Sequence, residues 1–279
     1  MTYLTFSQLE RVGRLGNGLW QIASTIGLAR RHGMEPRFPP SWSYRKFFSI
    51  PDEMFAEVRG TEAYRLPDLD HMDERTRIYL QDLSFIADVT DEIDEYFQPS
   101  DEALERLGTL SSHALILHVR RGDNVNQQAC YPLPSLDYYL NAVRRHPGFD
   151  VLIFGDDHEW NQSVLYPLVC LLASRVQVIK GVARPKEHMP DYMTAPILDW
   201  IDLQLMAAQG RAFCLSNSTM GWWAAWLSGS DDVCYPDPWY GPSLDIRQQG
   251  YIDGSLMMPS AWLKVAAGGG RREPRRGAA

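Results

Sequence analysis

Ala114-Leu115-Ile116-Leu117-His118-Val119-Arg120-Arg121-Gly122-Asp123 runs from an apolar segment straight into two arginines. Ala114–Leu117 read as a buried strand. Arginines at the carboxyl end of such a strand sit where open α/β sheets bind ligands. The planar donor fork of arginine matches phosphate oxygens two at a time. The segment therefore points to a phosphorylated ligand, a nucleotide diphosphate in particular. Two solvated arginines paired locally by Asp123 is the plain alternative.

The chain downstream alternates between the two hydrophobic periods. Strands are expected at 113–120, 151–155, 176–180, 212–215 and 233–236. Helices are expected at 136–146, 159–174, 197–209 and 219–227, with Pro167 breaking the second of them. Pro134-Ser135 is a start signal for the first. Such alternation predicts βαβ units and an α/β fold with a parallel sheet. Upstream, a strand at 1–6 leads through Gly13-Arg14-Leu15-Gly16-Asn17-Gly18 into a helix at 19–30 that ends at His32-Gly33. Residues 34–76, rich in proline and aromatics, have no clean period and are read as a wrap around the first unit. An acidic helix is expected near 91–107. Residues 266–279 are basic and low in complexity, and read as a disordered tail.

The chain has 279 residues, enough for one large domain or two ordinary ones. With 45% hydrophobic and 22% charged residues it has the composition of a globular protein. A net charge of −8 argues against a general nucleic-acid partner. Cys130, Cys170, Cys214 and Cys234 show no metal-ligand spacing, and the last three lie in apolar runs expected to be buried. With no zinc pattern anywhere, no metal site is expected. No leader and no membrane-spanning stretch is visible, so the expectation is a cytoplasmic protein. The basic tail leaves peripheral attachment at the inner membrane open.

Three other segments carry polar residues at strand ends. The glycines of Gly13–Gly18 let backbone approach a ligand, and helix-start amides favour anions, although a tight structural turn fits as well. In Phe154-Gly155-Asp156-Asp157-His158-Glu159-Trp160 one aspartate is expected to cap the following helix. The other is left free for a metal, ribose or base edge. Ser216-Asn217-Ser218-Thr219 opens a helix with hydroxyls, an amide and free N–H groups, which suits an anion and equally suits ordinary capping. The tryptophans at 222, 223 and 226 are expected in the core.

Taken in order, Gly13-Arg14-Leu15-Gly16-Asn17…Gln21, His118–Asp123, Phe154–Asp157…Trp160 and Ser216-Asn217-Ser218-Thr219…Trp222-Trp223-Ala224-Ala225-Trp226-Leu227 resemble the alpha-1,2-fucosyltransferases of glycosyltransferase family 11. Leu136-Asp137-Tyr138-Tyr139, Asp202-Leu203-Gln204-Leu205-Met206 and Pro236-Asp237-Pro238-Trp239-Tyr240 add to the likeness, which spans about residues 11 to 241. The resemblance implies a two-lobed Rossmann-like transferase of the GT-B type. Residues 1–110 would form the acceptor-side lobe and 111–265 the lobe that binds the GDP-sugar. It implies GDP-β-L-fucose as a co-substrate, a glycan hydroxyl as acceptor, inversion at the anomeric carbon, and neither cofactor nor metal. By the same resemblance Arg120 binds and stabilises the leaving β-phosphate, while Asp123 orients an arginine or touches the sugar and His118 shapes the loop. Gly16, Asn17, Arg121, Asp157, Ser216, Asn217, Ser218 and Thr219 are the expected donor contacts. The chain departs from the family at Gly18-Leu19-Trp20, Asn124 and Met220-Gly221, all placed along the expected cleft. A non-catalytic glycan- or nucleotide-sugar-binding protein on the same fold is the alternative.

Overall fold

The computed structural model of the chain describes residues 2–100, 113–179 and 194–268. It is an α/β fold with two sheets, both wholly parallel and compatible with a Rossmann-like arrangement.

The first sheet is small. Strand β1 (Tyr3–Thr5) lies between β2 (Glu35–Arg37) and β3 (Thr61–Glu62), with Leu4 level with both Pro36 and Thr61. Pro36 lacks an N–H, and β2 is an edge strand, where that loss is tolerated. Helix α1 (Leu15–Arg31) follows β1 and is apolar almost all round, because it is buried almost all round. It closes as expected at His32-Gly33. Gly33 takes φ +64°, and Gly33 N and Met34 N donate to the Arg30 and Ala29 carbonyls, a Schellman ending. Residues 34–76 pack against this unit as irregular chain with four short 3-10 turns, and they also contribute β2 and β3, which no period in the sequence marked. Helix α2 (Thr90–Tyr96) is the start of the expected acidic helix. The expectation of one helix reaching 107 is corrected: the helix stops at Tyr96, residues 97–100 are non-helical with Pro99 bridging to Phe48, and 101–107 lie outside the described residues.

The second sheet has the order β6-β5-β4-β7-β8-β9. Its strands are β4 (Ala114–Val119), β5 (Asp150–Gly155), β6 (Val176–Val178), β7 (Gly210–Cys214), β8 (Val233–Asp237) and β9 (Leu263–Ala266). β4 is central and buried at every residue, as its apolar run predicts. Its alternate side chains feed two cores. Ile116 faces the one shared with α1, and Leu115, Leu117 and Val119 face the other. Helix α3 (Leu136–Arg145) is capped by Ser135, which accepts from Tyr138 N. The segment after β5 is helical over His158–Trp160 and Tyr166–Val169, with a π turn at Asn161–Leu165 between them. That irregularity precedes Pro167, whose ring removes a helix donor. Helices α4 (Thr194–Gln209) and α5 (Thr219–Leu227) complete the set.

Three further expectations are corrected. Ala266 belongs to β9, and Ala267 N donates to Asp237 O while Ser135 N donates to Ala267 O, so a tail beginning at 266 starts too early. Residues 269–279 lie outside the described part. Cys170 is exposed, because the helix carrying it breaks before an apolar face forms, whereas Cys214 and Cys234 are buried. Among the tryptophans Trp222 and Trp223 are fully buried, but Trp226 only partly, since its indole N–H reaches out to Asp94 Oδ1 at 2.9 Å. No described helix is long and apolar enough to cross a membrane.

Candidate functional site

Connections run from β4 through α3 to β5 and β6 on one side, and through α4 to β7 and α5 to β8 on the other. The strand order therefore reverses between β4 and β7. Open α/β sheets bind ligands in the crevice outside the carboxyl ends of the strands at such a point. A cleft of about 1360 Å³ lies there, and its walls include Gly13–Asn17, Arg120, Asp123 and Asn217–Met220.

Two helices begin in this cleft side by side. A Cβ placed on Gly16 of α1 would lie 2.6 Å from Met220 N of α5, so only glycine permits the approach. Neither helix has a side-chain cap: Arg14 and Ser218 occupy the cap positions without making the bond. The amides of Leu15, Gly16 and Asn17, and those of Thr219, Met220 and Gly221, have no acceptor among the described residues. Two sets of orphan N–H groups and two positive helix ends thus converge on one place. Basic side chains do not dominate the walls, where Asp73, Asp123, Asp156, Asp199, Asp202 and Asp253 face Arg14, Arg75 and Arg120. The anion-attracting element is the backbone, backed by Arg120.

Arg120 and Arg121 part company. The Arg120 guanidinium faces the cleft and pairs with Asp123 and Asp156. Arg121 turns toward the β5 end, with its Cζ 4.1 Å above the Trp160 ring and Nε 3.2 Å from Asp157 Oδ2. It does not line the cleft. Asp157 also caps the helical turn through Trp160 N at 3.0 Å, so its carboxylate is engaged on both sides. The expectation that one of the two aspartates stays free is corrected. Asp156 Oδ1 accepts from Arg121 N at 2.8 Å and Gly122 N at 3.1 Å, while Oδ2 takes the Arg120 guanidinium. Asp156 is the hub of the loop, a role the sequence did not distinguish from capping.

His118 forms part of the cleft floor and Ser216 lies beneath it. The Ser216 hydroxyl accepts from Arg120 N at 3.0 Å and meets His118 Nδ1 at 2.9 Å. Burial, with Arg120 adding to it and Asp156 opposing, lowers His118 to about 4, so the ring is neutral at neutral pH. Both residues fix the loop that carries Arg120. Asn217 is likewise committed, since its amide donates to the Pro132 and Trp239 carbonyls and its oxygen meets Asn124 Nδ2 at 3.4 Å. Asn124 is therefore pinned at the wall.

Asn17 is differently placed. Tyr240 Oη donates to Gln81 Oε1 (3.2 Å), Gln81 Nε2 to Asn17 Oδ1 (3.0 Å), and Thr219 Oγ1 to the same oxygen (3.1 Å). The tyrosine at one end orients both amides, leaving Asn17 Nδ2 as a donor without an acceptor among the described residues. Gln81 and Tyr240 were not candidates from sequence. Gln81 sits in a region without a period, and a relay across three segments leaves no local signal.

Asp202, on the cleft face of α4, was named only as part of a motif. Burial, with the Asp199 charge adding to it, raises its carboxyl to about 7. Among the described residues no group of three or more His, Cys, Asp or Glu side chains could hold a metal ion. No protein-family model matches the chain, and no curated protein matches it significantly.

Proposed function

We propose that the chain is an inverting glycosyltransferase that moves L-fucose from GDP-β-L-fucose to a sugar hydroxyl, the 2-OH of a galactoside being the expected acceptor. The observation that carries the reading is the meeting of two uncapped helix N-termini with Arg120 at the sheet's switch point. That site suits a diphosphate held mainly by backbone amides. The motif resemblance supplies the nucleotide, the sugar and a GT-B-type division into lobes at 1–110 and 111–265.

The acceptor oxygen attacks C1 of fucose from the face opposite GDP. The C1–O bond to the β-phosphate breaks, and its electron pair stays on the phosphate. Arg120 and the two sets of amides neutralise that charge as it develops, which is where fixed donors lower a barrier most. Asn17 Nδ2 donates to the sugar or the bridging oxygen. Asp123, more exposed than Asp156, leaves the Arg120 guanidinium when the phosphate arrives.

Removal of a comparable donor raises the barrier by roughly 2.7–4 kcal/mol. Arg120→Ala is therefore expected to remain folded and lose about 100- to 1000-fold in kcat. Arg120→Lys should recover little, since an ammonium cannot fork between two oxygens. Calorimetric titration with GDP, GDP-fucose, GDP-mannose and UDP-galactose, each with and without magnesium, tests the donor. Preference for the uridine donor, or full turnover in folded Arg120→Ala, overturns the proposal.

A further inference from the structure

Asp199, Asp202 and Met206 follow one another at helical spacing on α4, and all three line the cleft. The helix packs against α1 and α5, whose N-termini form the amide cradle, and against β4. A sugar hydroxyl attacking in this cleft must give up a proton, and the ionisable groups along the wall are almost all committed elsewhere. Asp123 and Asp156 hold Arg120. Asp73 pairs with Arg75, Asp253 accepts from Ser255 N, and Asp199 accepts from Tyr44 Oη at 3.1 Å. His71 has both ring nitrogens engaged, by Asp68 O and Asp82 Oδ2, and His118 is bonded to Ser216. Asp202 alone among the cleft's described carboxylates has no hydrogen-bond or ion-pair partner among the described residues.

We propose that Asp202 is the general base of the transfer, taking the proton of the acceptor hydroxyl as its oxygen bonds to the anomeric carbon. This inference rests on the transferase reading above and adds to it the group that activates the acceptor. The proton passes from the acceptor oxygen to a carboxylate oxygen of Asp202 and is returned to water after GDP leaves. No oxidant or further reactant is involved. The surroundings suit the task. A carboxyl held near 7 is partly ionised at neutral pH, yet basic enough to take a proton in the transition state. Asp199 is the charged group that acts on it, and Asp199 in turn accepts from Tyr44. Helix α5 brings no charged side chain, β4 brings the neutral His118, and α1 has its arginines at the far end, with Arg14 just before its start.

The test compares wild type with Asp202→Asn and Asp202→Glu, following GDP release from GDP-fucose with a β-galactoside and with water as acceptor. GDP affinity by calorimetry reports folding of each variant and an intact donor site. Asp202→Asn should bind GDP within about twofold of wild type and lose about 100- to 10,000-fold in kcat. It should also lose the acid limb of the kcat profile, which in wild type falls below about pH 7. Asp202→Glu should retain part of the rate and restore that limb. Unchanged kcat and an unchanged acid limb in Asp202→Asn overturn the assignment while leaving the transferase reading intact. A wild type that fails to bind GDP-fucose, or that binds it without releasing GDP to either acceptor, overturns both.

Discussion

Arg120 is held by two carboxylates that differ in how they are anchored. Asp156 is fixed by two backbone amides, whereas Asp123 is exposed and its only described partner is the guanidinium. Removing the first should let Arg120 swing out of register, and removing the second should expose its charge. Asp156→Ala is expected to weaken GDP binding about tenfold or more, the loss of about 1.4 kcal/mol or more. Asp123→Ala should tighten GDP binding severalfold, since in the proposed complex the phosphate would no longer compete with a carboxylate. Calorimetry on the two variants checks both signs, and tighter binding in Asp156→Ala would contradict the hub. Of the residues singled out by sequence, Arg120, Gly16, Asn17, Ser218 and Thr219 do come together in the cleft. Arg121, Asp157 and Ser216 instead brace the loops around it, and Asn217 lines the cleft with its amide committed to the Pro132 and Trp239 carbonyls. The adjacent arginines and adjacent aspartates could not be told apart in sequence. Which of each pair faces the ligand is decided by Trp160 and by the helical turn after β5, both set by tertiary structure.

At the scale of elements, the uncapped start of α5 is a stability deficit retained at the cleft. A carboxylate at the cap position would satisfy the open amides and favour the helix by about 0.5–2 kcal/mol. Ser218→Asp should therefore raise the melting temperature while abolishing detectable GDP binding, because the new side chain fills the place proposed for the phosphate. Thermal unfolding with and without GDP measures the two effects, and a variant that still binds GDP as wild type does would remove the cradle from the site. The strongly periodic elements were legible: β4, β5, α3, α5 and the end of α1 lie where the pattern placed them. β2 and β3 were not, being three and two residues long and marked by no alternation. β9 has exposed residues and no apolar run, so only its pairing with β8 reveals it. The start of α1 was read four residues late, at Leu19 instead of Leu15. Gly16 and Gly18 are poor helix formers, and Gly16 is kept small by its close approach to α5, which the sequence does not show.

Over the whole molecule, the two halves share one core. Leu4 and Trp20 from the first sheet's side belong to the same cluster as Phe213, Trp222 and Trp239 from the second. The response of this body to pH carries two opposed contributions. His118 falls from 6.5 to about 4 on folding, so its share of stability is complete above pH 6.5 and lost as pH drops toward 4. Asp202 rises from 3.8 to about 7, so its share is complete below pH 3.8 and lost as pH climbs through 7. Between pH 4 and 6.5 the two offset each other. Asp202→Asn removes the second, so its stability should climb more steeply with pH across that window and exceed wild type at pH 8. Urea unfolding at pH 5 and pH 8 tests this, and a variant less stable than wild type at pH 8 would contradict the burial of an unpaired carboxylate. The seam between the halves also has an optical consequence. Trp20 lies 4.5 Å from Trp222 and 5.3 Å from Trp223 between ring centroids, with Trp226 stacked on Trp222 and Trp262 tilted against it. Indoles this close exchange excitation, so emission from the folded protein is depolarised by transfer within the group. An event that parts α1 from α5 takes Trp20 out of the group and lowers that transfer, so it registers as a rise in fluorescence anisotropy without any label.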